Sequence, residues 1–365
     1  MKSRTAMTMA AVMSIVLLVA ACAGDEGDPV GVEPGEGDES EETVTQEEPE
    51  GDEEQEALSL TFAHVNAPSD IGTLQADRFI ESVSERTDGR INIEHFPNAQ
   101  LGNVDENAEQ VQQGSIDLTF QLMGGLGSNY LEDFSTLDLP YIYRDTDHLM
   151  EVVSPESPVM NELNQRLVDE HGVRVLYSYY FGTRHLSANV PIYTPDDMSG
   201  LSIRAIPLPV YIAAVEGMGA SATPVEFSEL PVALATGLVD GQENPLQTFN
   251  AASLYESQDY LMLTGHIISA MAVVINEDVW QGLSADDQAT ILEAAEEAAE
   301  WALAENTSAE EDLLTEFEEE HGIEIIGPED GLDVAAFRER VSARVQQDFG
   351  DEYGELISLI ESVGN

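Results

Sequence analysis

Short runs of alternating apolar and polar residues recur along the chain, separated by stretches with helical spacing. Ser59-Leu60-Thr61-Phe62-Ala63 alternates as an opening strand, and Thr73 to Glu85 has the spacing of an amphipathic helix ending near Thr87-Asp88-Gly89. Ile91 to Phe96 alternates again. A helix is expected through Asn107 to Gln113, stopped by Gly114, with Ile116 to Phe120 and Val173 to Tyr177 as further strands. The apolar run Ile267 to Ile275 has the length of a buried strand and is too short to span a membrane. The last third reads as helical. Ser284 with Asp287 three residues on forms a capping-box analogue, and the Ala/Glu-rich stretch runs to about Glu320. Asp333 then starts a helix through Arg338, Val341 and Val345. Strand-helix alternation predicts an α/β fold with parallel strands, whose ligands sit beyond the strand C-termini. No repeat of about 20–50 residues is present, which argues against a solenoid.

The first 22 residues break this pattern. Lys2 and Arg4 precede an apolar run from Met9 to Ala21 that ends Val19-Ala20-Ala21-Cys22. A run of about a dozen apolar residues has the dimensions of a signal-peptide core. Small residues before a lone cysteine resemble a bacterial lipobox, so Cys22 is the expected lipidation site and acyl chains the expected anchor. A plain secretory signal with an incidental cysteine is the alternative; that Cys22 is the sole cysteine favours the lipoprotein. One cysteine also excludes an intrachain disulfide and a Cys-based zinc site. Residues 23–57 are Gly, Pro and acid with little to bury, and read as a disordered, self-repelling tether.

Charge narrows the function classes. The chain carries 13 Lys+Arg against 71 Asp+Glu, a formal charge of −58. Nucleic-acid binding rests on cationic groups, so that class is excluded, as is docking on anionic lipid through basic residues. With 42% hydrophobic residues the chain is too apolar for wholesale disorder, and 365 residues suggest about two domains. Lys2 is the only lysine, and every later base is arginine. An acid-rich, lysine-free surface fits a halophilic protein kept soluble in high salt; acidic lineage composition is the plainer alternative.

Several enzyme chemistries lack their residues. The seven histidines show no His-Glu-x-x-His, and no G-x-S-x-G elbow appears. Gly124-Gly125-Leu126-Gly127 has no Walker lysine to go with it. Carboxylate pairs abound, yet in so acidic a chain they read as solvated surface and no catalytic pair stands out. Arginine is scarce, so its placement is informative. Arg184 follows the apolar run around Leu176 to Tyr180, and Arg204 ends the strand-like Leu201-Ser202-Ile203. A guanidinium at a strand end matches a carboxylate bidentately. A structural salt bridge to an acid such as Asp240 or Glu243 is the competing explanation.

Gly200-Leu201-Ser202-Ile203-Arg204 is followed by Gly219, Pro224, Phe227, Glu229, Ala233-Leu234, Gly237 and Val239-Asp240-Gly241-Gln242-Glu243-Asn244-Pro245. Upstream stand Thr87-Asp88-Gly89-Arg90, Pro97-Asn98-Ala99-Gln100-Leu101-Gly102 and Gly114-Ser115-Ile116-Asp117. From about residue 58 onward, this series resembles the solute-binding proteins of TRAP (tripartite ATP-independent periplasmic) transporters, DctP type.

The resemblance implies two α/β lobes of the type II periplasmic-binding-protein kind, closing over a small organic acid. One lobe is expected over 58–181 with 270–309, the other over 182–269 with 310–365, with long C-terminal helices spanning both. It further implies that Arg204 clamps the ligand carboxylate, that Arg184 and Asn244 assist, and that Phe227 packs on the ligand unless it is a core aromatic. Gln121 and Met123, after the Phe120 strand, and Ile206 to Leu208, after Arg204, are expected to wall the pocket. Walls of Leu, Met and Pro leave sugar hydroxyls unpaired and favour a monocarboxylate with an apolar body, such as a 2-oxo acid. A C4-dicarboxylate, its second carboxylate on Arg184, is the alternative. Glu243 leaves room for a bridging cation; no other metal, no cofactor and no catalytic residue is expected. The implied location of the chain is extracytoplasmic, in the periplasm or on the outer face of the cell membrane, and its implied partners are TRAP membrane subunits. An ABC-type binding protein or an extracytoplasmic hydrolase fits less well.

Overall fold

The computed structural model describes residues 57–364. The expected signal peptide, Cys22 and nearly all of the acidic tether lie outside these residues. The described strands form one nine-stranded sheet in the order β2-β1-β3-β8-β4-β7-β5-β6, with β9 joining β8. These are β1 (Leu58–Ala63), β2 (Ile91–Phe96), β3 (Leu118–Leu122), β4 (Val173–Ala188), β5 (Ser202–Ala205), β6 (Ser221–Pro224), β7 (Gly241–Pro245), β8 (Tyr260–Asn276) and β9 (Glu324–Ile326). The helices are α1 (Ile71–Arg86), α2 (Val104–Gln112), α3 (Met123–Asn129), α4 (Thr146–Val153), α5 (Pro158–His171), α6 (Pro209–Met218), α7 (Leu230–Ala235), α8 (Leu246–Ala251), α9 (Glu277–Gly282), α10 (Ala285–Glu319) and α11 (Val334–Ser362). None of them is long and apolar enough to cross a membrane.

The expectation of parallel strands holds for only part of the sheet. β1 pairs in parallel with β2 and β3, and β5 with β6 and β7, but β3–β8, β4–β7 and β4–β8 are antiparallel. The reason is topological: the chain leaves the first half of the sheet along β4 and returns along β8, so these two strands must run in opposite directions. Both are much longer than the runs that signalled them. Where they cross between the halves, their register shifts between Tyr180 and Gly182. Gly182 sits at φ +127°, and a Cβ there would approach Pro245 Cβ to 2.7 Å, so only glycine fits.

Local chemistry moved several boundaries. α2 begins at Val104, earlier than expected, because Asn103 and Glu106 form a reciprocal capping box. β3 begins at Leu118 because the backbone N–H groups of Ser115 and Ile116 turn back to Gln110 O and close the preceding helix. Ser284 caps α10 through the Asp287 N–H, but the Asp287 carboxylate pairs with Arg90 instead of completing the box.

The apolar side chains gather in four clusters. Two lie in the first half, around Phe62, Phe79 and Val273 and around Phe134, Leu163 and Val274. The other two lie in the second half, around Tyr211, Ile203 and Val341 and around Phe249, Leu261 and Phe317. α10 contributes Ala294, Ala298 and Ala302 to the first half and Leu313 and Phe317 to the second. Midway, Asn306 Nδ2 donates to Tyr180 O at 3.0 Å beside the register shift. α11 also touches both: Phe337 and Val341 pack with α6, whereas Ile360 packs in the first half and its carbonyl accepts from His148 Nε2 at 3.0 Å. The C-terminal end thus departs from the uniform second-lobe assignment expected for 310–365.

Candidate functional site

The C-terminal ends of β1, β3, β5 and β7 converge on a cavity of about 220 Å³. Its walls come from both halves: Asn66, Phe120, Gln121, Leu122, Asn129 and Met271 from the first, and Arg184, Arg204, Ile206, Phe227, Asn244 and Thr248 from the second.

Arg204 is the next-to-last residue of β5 and is 1% exposed. Its Nε donates to Val225 O at 2.9 Å, which fixes the guanidinium plane. Its Nη1 is buried with no hydrogen-bond partner. Burial pushes this guanidinium down to about 10, and the nearby Glu243 carboxylate only partly opposes that. A desolvated cation with an open donor is a receptor for an anion.

Arg184 is differently placed. Its Nε and Nη2 reach Glu243 Oε2 and Oε1 at 2.6 and 2.9 Å, and Nη2 also donates to Glu243 O at 2.7 Å and Asn244 Oδ1 at 3.0 Å. Its guanidinium lies 5.1 Å from the Tyr211 ring centre. His266 Nε2 is a further neighbour of Glu243 Oε2 at 3.1 Å. Burial would raise the Glu243 carboxyl, but Arg184 and His266 outweigh it and hold it at about 2. The competing salt-bridge explanation therefore applies to Arg184, with Glu243 as its acid. Asp240 instead accepts from Ser202 N at 2.8 Å. With both oxygens engaged, Glu243 is not a free cation ligand, and it does not line the cavity; no cluster able to hold a metal occurs among the described residues.

The other expected residues divide. Asn244 lines the cavity; its Oδ1 accepts from Arg184 and its Nδ2 donates to Gln242 Oε1 at 2.5 Å, leaving one N–H. Phe227 is half-buried, packing on the second-half core while also lining the cavity. Gln121 accepts from Asn129 Nδ2 at 3.0 Å, and its Nε2 is buried without a partner. Met123 is a correction. It starts α3 and is wholly buried with Leu126, Phe134 and Tyr143, because Asp138 holds the Gly124 N–H at 2.7 Å and turns the chain away from the strand path.

Two hydrogen bonds join the halves beside the cavity. Thr248 Oγ1 donates to Asp70 Oδ2 at 3.0 Å, and Tyr211 OH donates to Asp138 Oδ2 at 3.0 Å. Asp70 also caps α1 and accepts from Asn66 Nδ2 at 2.8 Å. Burial raises both carboxyls, Asp138 to about 6. The sequence does not single out Asp70, Thr248, Phe120, Asp105 or Glu226; Phe120, next to Gln121, and Glu226, next to Phe227, carry only a positional hint.

A family model described as bacterial extracellular solute-binding protein, family 7, matches residues 62–351. The chain is 31% identical to the sialic acid-binding periplasmic protein SiaP of Vibrio cholerae, over 82% of this chain and 91% of that protein. Among solved structures, a TRAP periplasmic solute binding protein from Bordetella, with density interpreted as pantoate, aligns with a TM-score of 0.77 at 28% identity, covering 84% of this chain and 100% of that one. One from Roseobacter denitrificans with bound L-galactonate aligns at 0.76 and 29%, covering 84% and 99%.

Proposed function

The chain belongs to the bacterial extracellular solute-binding proteins of family 7, the periplasmic component of TRAP transporters for small organic acids, and from that membership we propose what it captures and how. The ligand is a monocarboxylate with an apolar body, such as a 2-oxo acid. Arg204 clamps its carboxylate, with Asn244, Gln121 and Phe227 around it. The closed form then hands it to the membrane subunits. Cys22, lipidated, anchors the chain outside the cytoplasm, and residues 23–57 hold the folded part off the membrane.

The observation that carries this reading is the contrast between the two guanidiniums. Arg184 spends Nε and Nη2 on Glu243 and Asn244 and keeps only Nη1, while Arg204 spends only Nε on the protein and its Nη1 lacks any partner. One open guanidinium fits one carboxylate. A second carboxylate would find only Nη1 on Arg184, and a two-point clamp there would have to displace Glu243 from a buried pair, which disfavours the C4-dicarboxylate alternative. Leu122, Ile206, Pro207, Leu208 and Met271 offer no partners to sugar hydroxyls and suit an apolar tail. Pantoate, named for the Bordetella structure, is a branched acid with one carboxylate; L-galactonate, named for the Roseobacter one, is a polyol acid that these walls suit less well.

A thermal-shift screen of the mature chain in high-salt buffer, against mono-, di- and 2-oxo acids, tests the reading. A ligand at a hundredfold excess over its Kd adds about 2.7 kcal/mol of stability. The expected hit is a branched 2-oxo acid, lost in Arg204→Ala. Binding of dicarboxylates without any branched 2-oxo acid refutes the apolar-pocket assignment.

A further inference from the structure

Any carboxylate satisfies Arg204, so discrimination among acids has to come from elsewhere in the cavity. Asp105, in the first turn of α2, and Glu226, just before Phe227, line it from opposite halves. Neither side chain makes a hydrogen bond or ion pair among the described residues. Arg204 spends its Nε on Val225 O, so Glu226 lies in its field without closing an ion pair on it. Burial first, and the Asp105 charge across the cleft second, raise the Glu226 carboxyl. Independently, the same cavity is built for a ligand: Arg204 Nη1 and Gln121 Nε2, on opposite halves and 1% and 2% exposed as residues, are both unpartnered.

We propose that Glu226 and Asp105 form a charge filter at this cavity, admitting acids with one carboxylate and rejecting those that bring a second negative charge. The proposal rests on Arg204 holding the first carboxylate. A ligand so held extends between the two halves, where both acids face it. An apolar tail meets Phe227, Leu122 and Ile206 there. A second carboxylate meets two like charges as the closing cleft excludes water, where salt screens poorly. If the two acids lay beyond screening range of the bound ligand, neutralising them would leave the ratio between the acids unchanged.

Titration calorimetry of the mature chain with 4-methyl-2-oxopentanoate and 2-oxoglutarate separates these cases, because the acids share a 2-oxo carboxylate head and differ in terminal charge. The branched monoacid is expected to bind about tenfold tighter or more. The Asp105→Asn/Glu226→Gln double variant, its melting point checked against wild type, is expected to narrow the ratio to about threefold by tightening the diacid. An unchanged ratio with both acids bound, or a wild-type preference for the diacid, overturns the filter alone. If neither acid binds wild type, the ligand class proposed above fails and the filter falls with it.

Discussion

Arg184 and Glu243 close a two-point ion pair, at 2.6 and 2.9 Å, with both side chains 1% exposed. The pair ties β4 to β7 and engages Nε and Nη2 of one guanidinium, leaving only its Nη1 to a ligand. Arg204, a neighbour in the same field, is left as the free cation. A structural charge pair thus defines which arginine acts as the receptor.

Glu243→Gln leaves Arg184 buried without its counter-ion and is expected to lose about 3–5 kcal/mol in urea unfolding. Replacing both partners by apolar residues, Arg184→Met with Glu243→Leu, removes both buried charges and is expected to lose less than the single variant. If the double variant unfolds at lower urea than Glu243→Gln, the pair is not the source of the effect.

Thr248 and Asp70 lie on opposite halves beside the cavity, joined at 3.0 Å. Thr248→Val removes that donor from Asp70 Oδ2, and with it one of the contacts holding the halves together beside the cavity, so the variant is expected to weaken ligand binding by about 5- to 150-fold. A variant that melts lower without ligand, yet binds as tightly as wild type, assigns Thr248 to general packing.

How much of this was readable along the chain depends on residue scarcity. Arg204 stood out because bases are few. Glu226 and Asp105 did not, since among 71 acids no single one is conspicuous until the fold sets two of them across a cavity. The Arg184–Glu243 pairing was visible only as one option, because 59 residues separate the partners and the β4–β7 register decides which acid arrives. The alternation stops at Tyr177 while β4 runs to Ala188, since Ser178, Thr183, Arg184 and Ser187 erase it while remaining mostly buried in pairing with β8 and β7. Met123 leaves the pocket because Asp138, fifteen residues on, bends the chain there, and the strand pattern gives no sign of that.

His64 gives the protein a pH dependence with a definite sign. Asn66 N–H donates to its Nδ1 at 3.2 Å, so Nε2 carries the proton and faces His95 Nε2 at 2.7 Å, while His95 Nδ1 lies 2.7 Å from Asp77. Burial, then the His95 charge, lowers His64 from 6.5 to about 2. The folded state therefore refuses a proton that the unfolded chain takes below 6.5, and stability falls on acidification at about 1.4 kcal/mol per pH unit from this group. His185, lowered to about 3 by burial, acts in the same direction. Asp138, raised to about 6, acts oppositely, its contribution being lost as pH rises through 6. His64→Phe isolates the first group: relative to wild type it is expected to gain about 2 kcal/mol between pH 8 and pH 5 in chemical unfolding. Parallel curves for the two proteins would remove His64 from the account.

The surface charge sets the last prediction. With 71 acids and 13 bases, most pairwise interactions between exposed charges are repulsive, and the exposed ion pairs, such as Arg86–Glu293, are few against that background. Raising ionic strength from 0.1 to 1 M shortens the screening length from about 10 to about 3 Å and weakens repulsion between charges farther apart than that. In a charge-balanced protein the same salt weakens attraction as well, and the two changes offset. Here the attractive contacts that matter most, Arg184–Glu243 and Arg174–Glu277, are short and at least partly buried, so salt leaves them largely intact. The melting temperature is therefore expected to climb continuously with KCl over that range, ligand absent. Repeating the series on a chain lacking residues 23–56, which hold 16 acids and no base, separates the folded surface from the tether. A climb that survives the deletion assigns the salt requirement to the folded surface and supports the halophilic reading. A melting temperature that is flat or falls with salt in both chains refutes it.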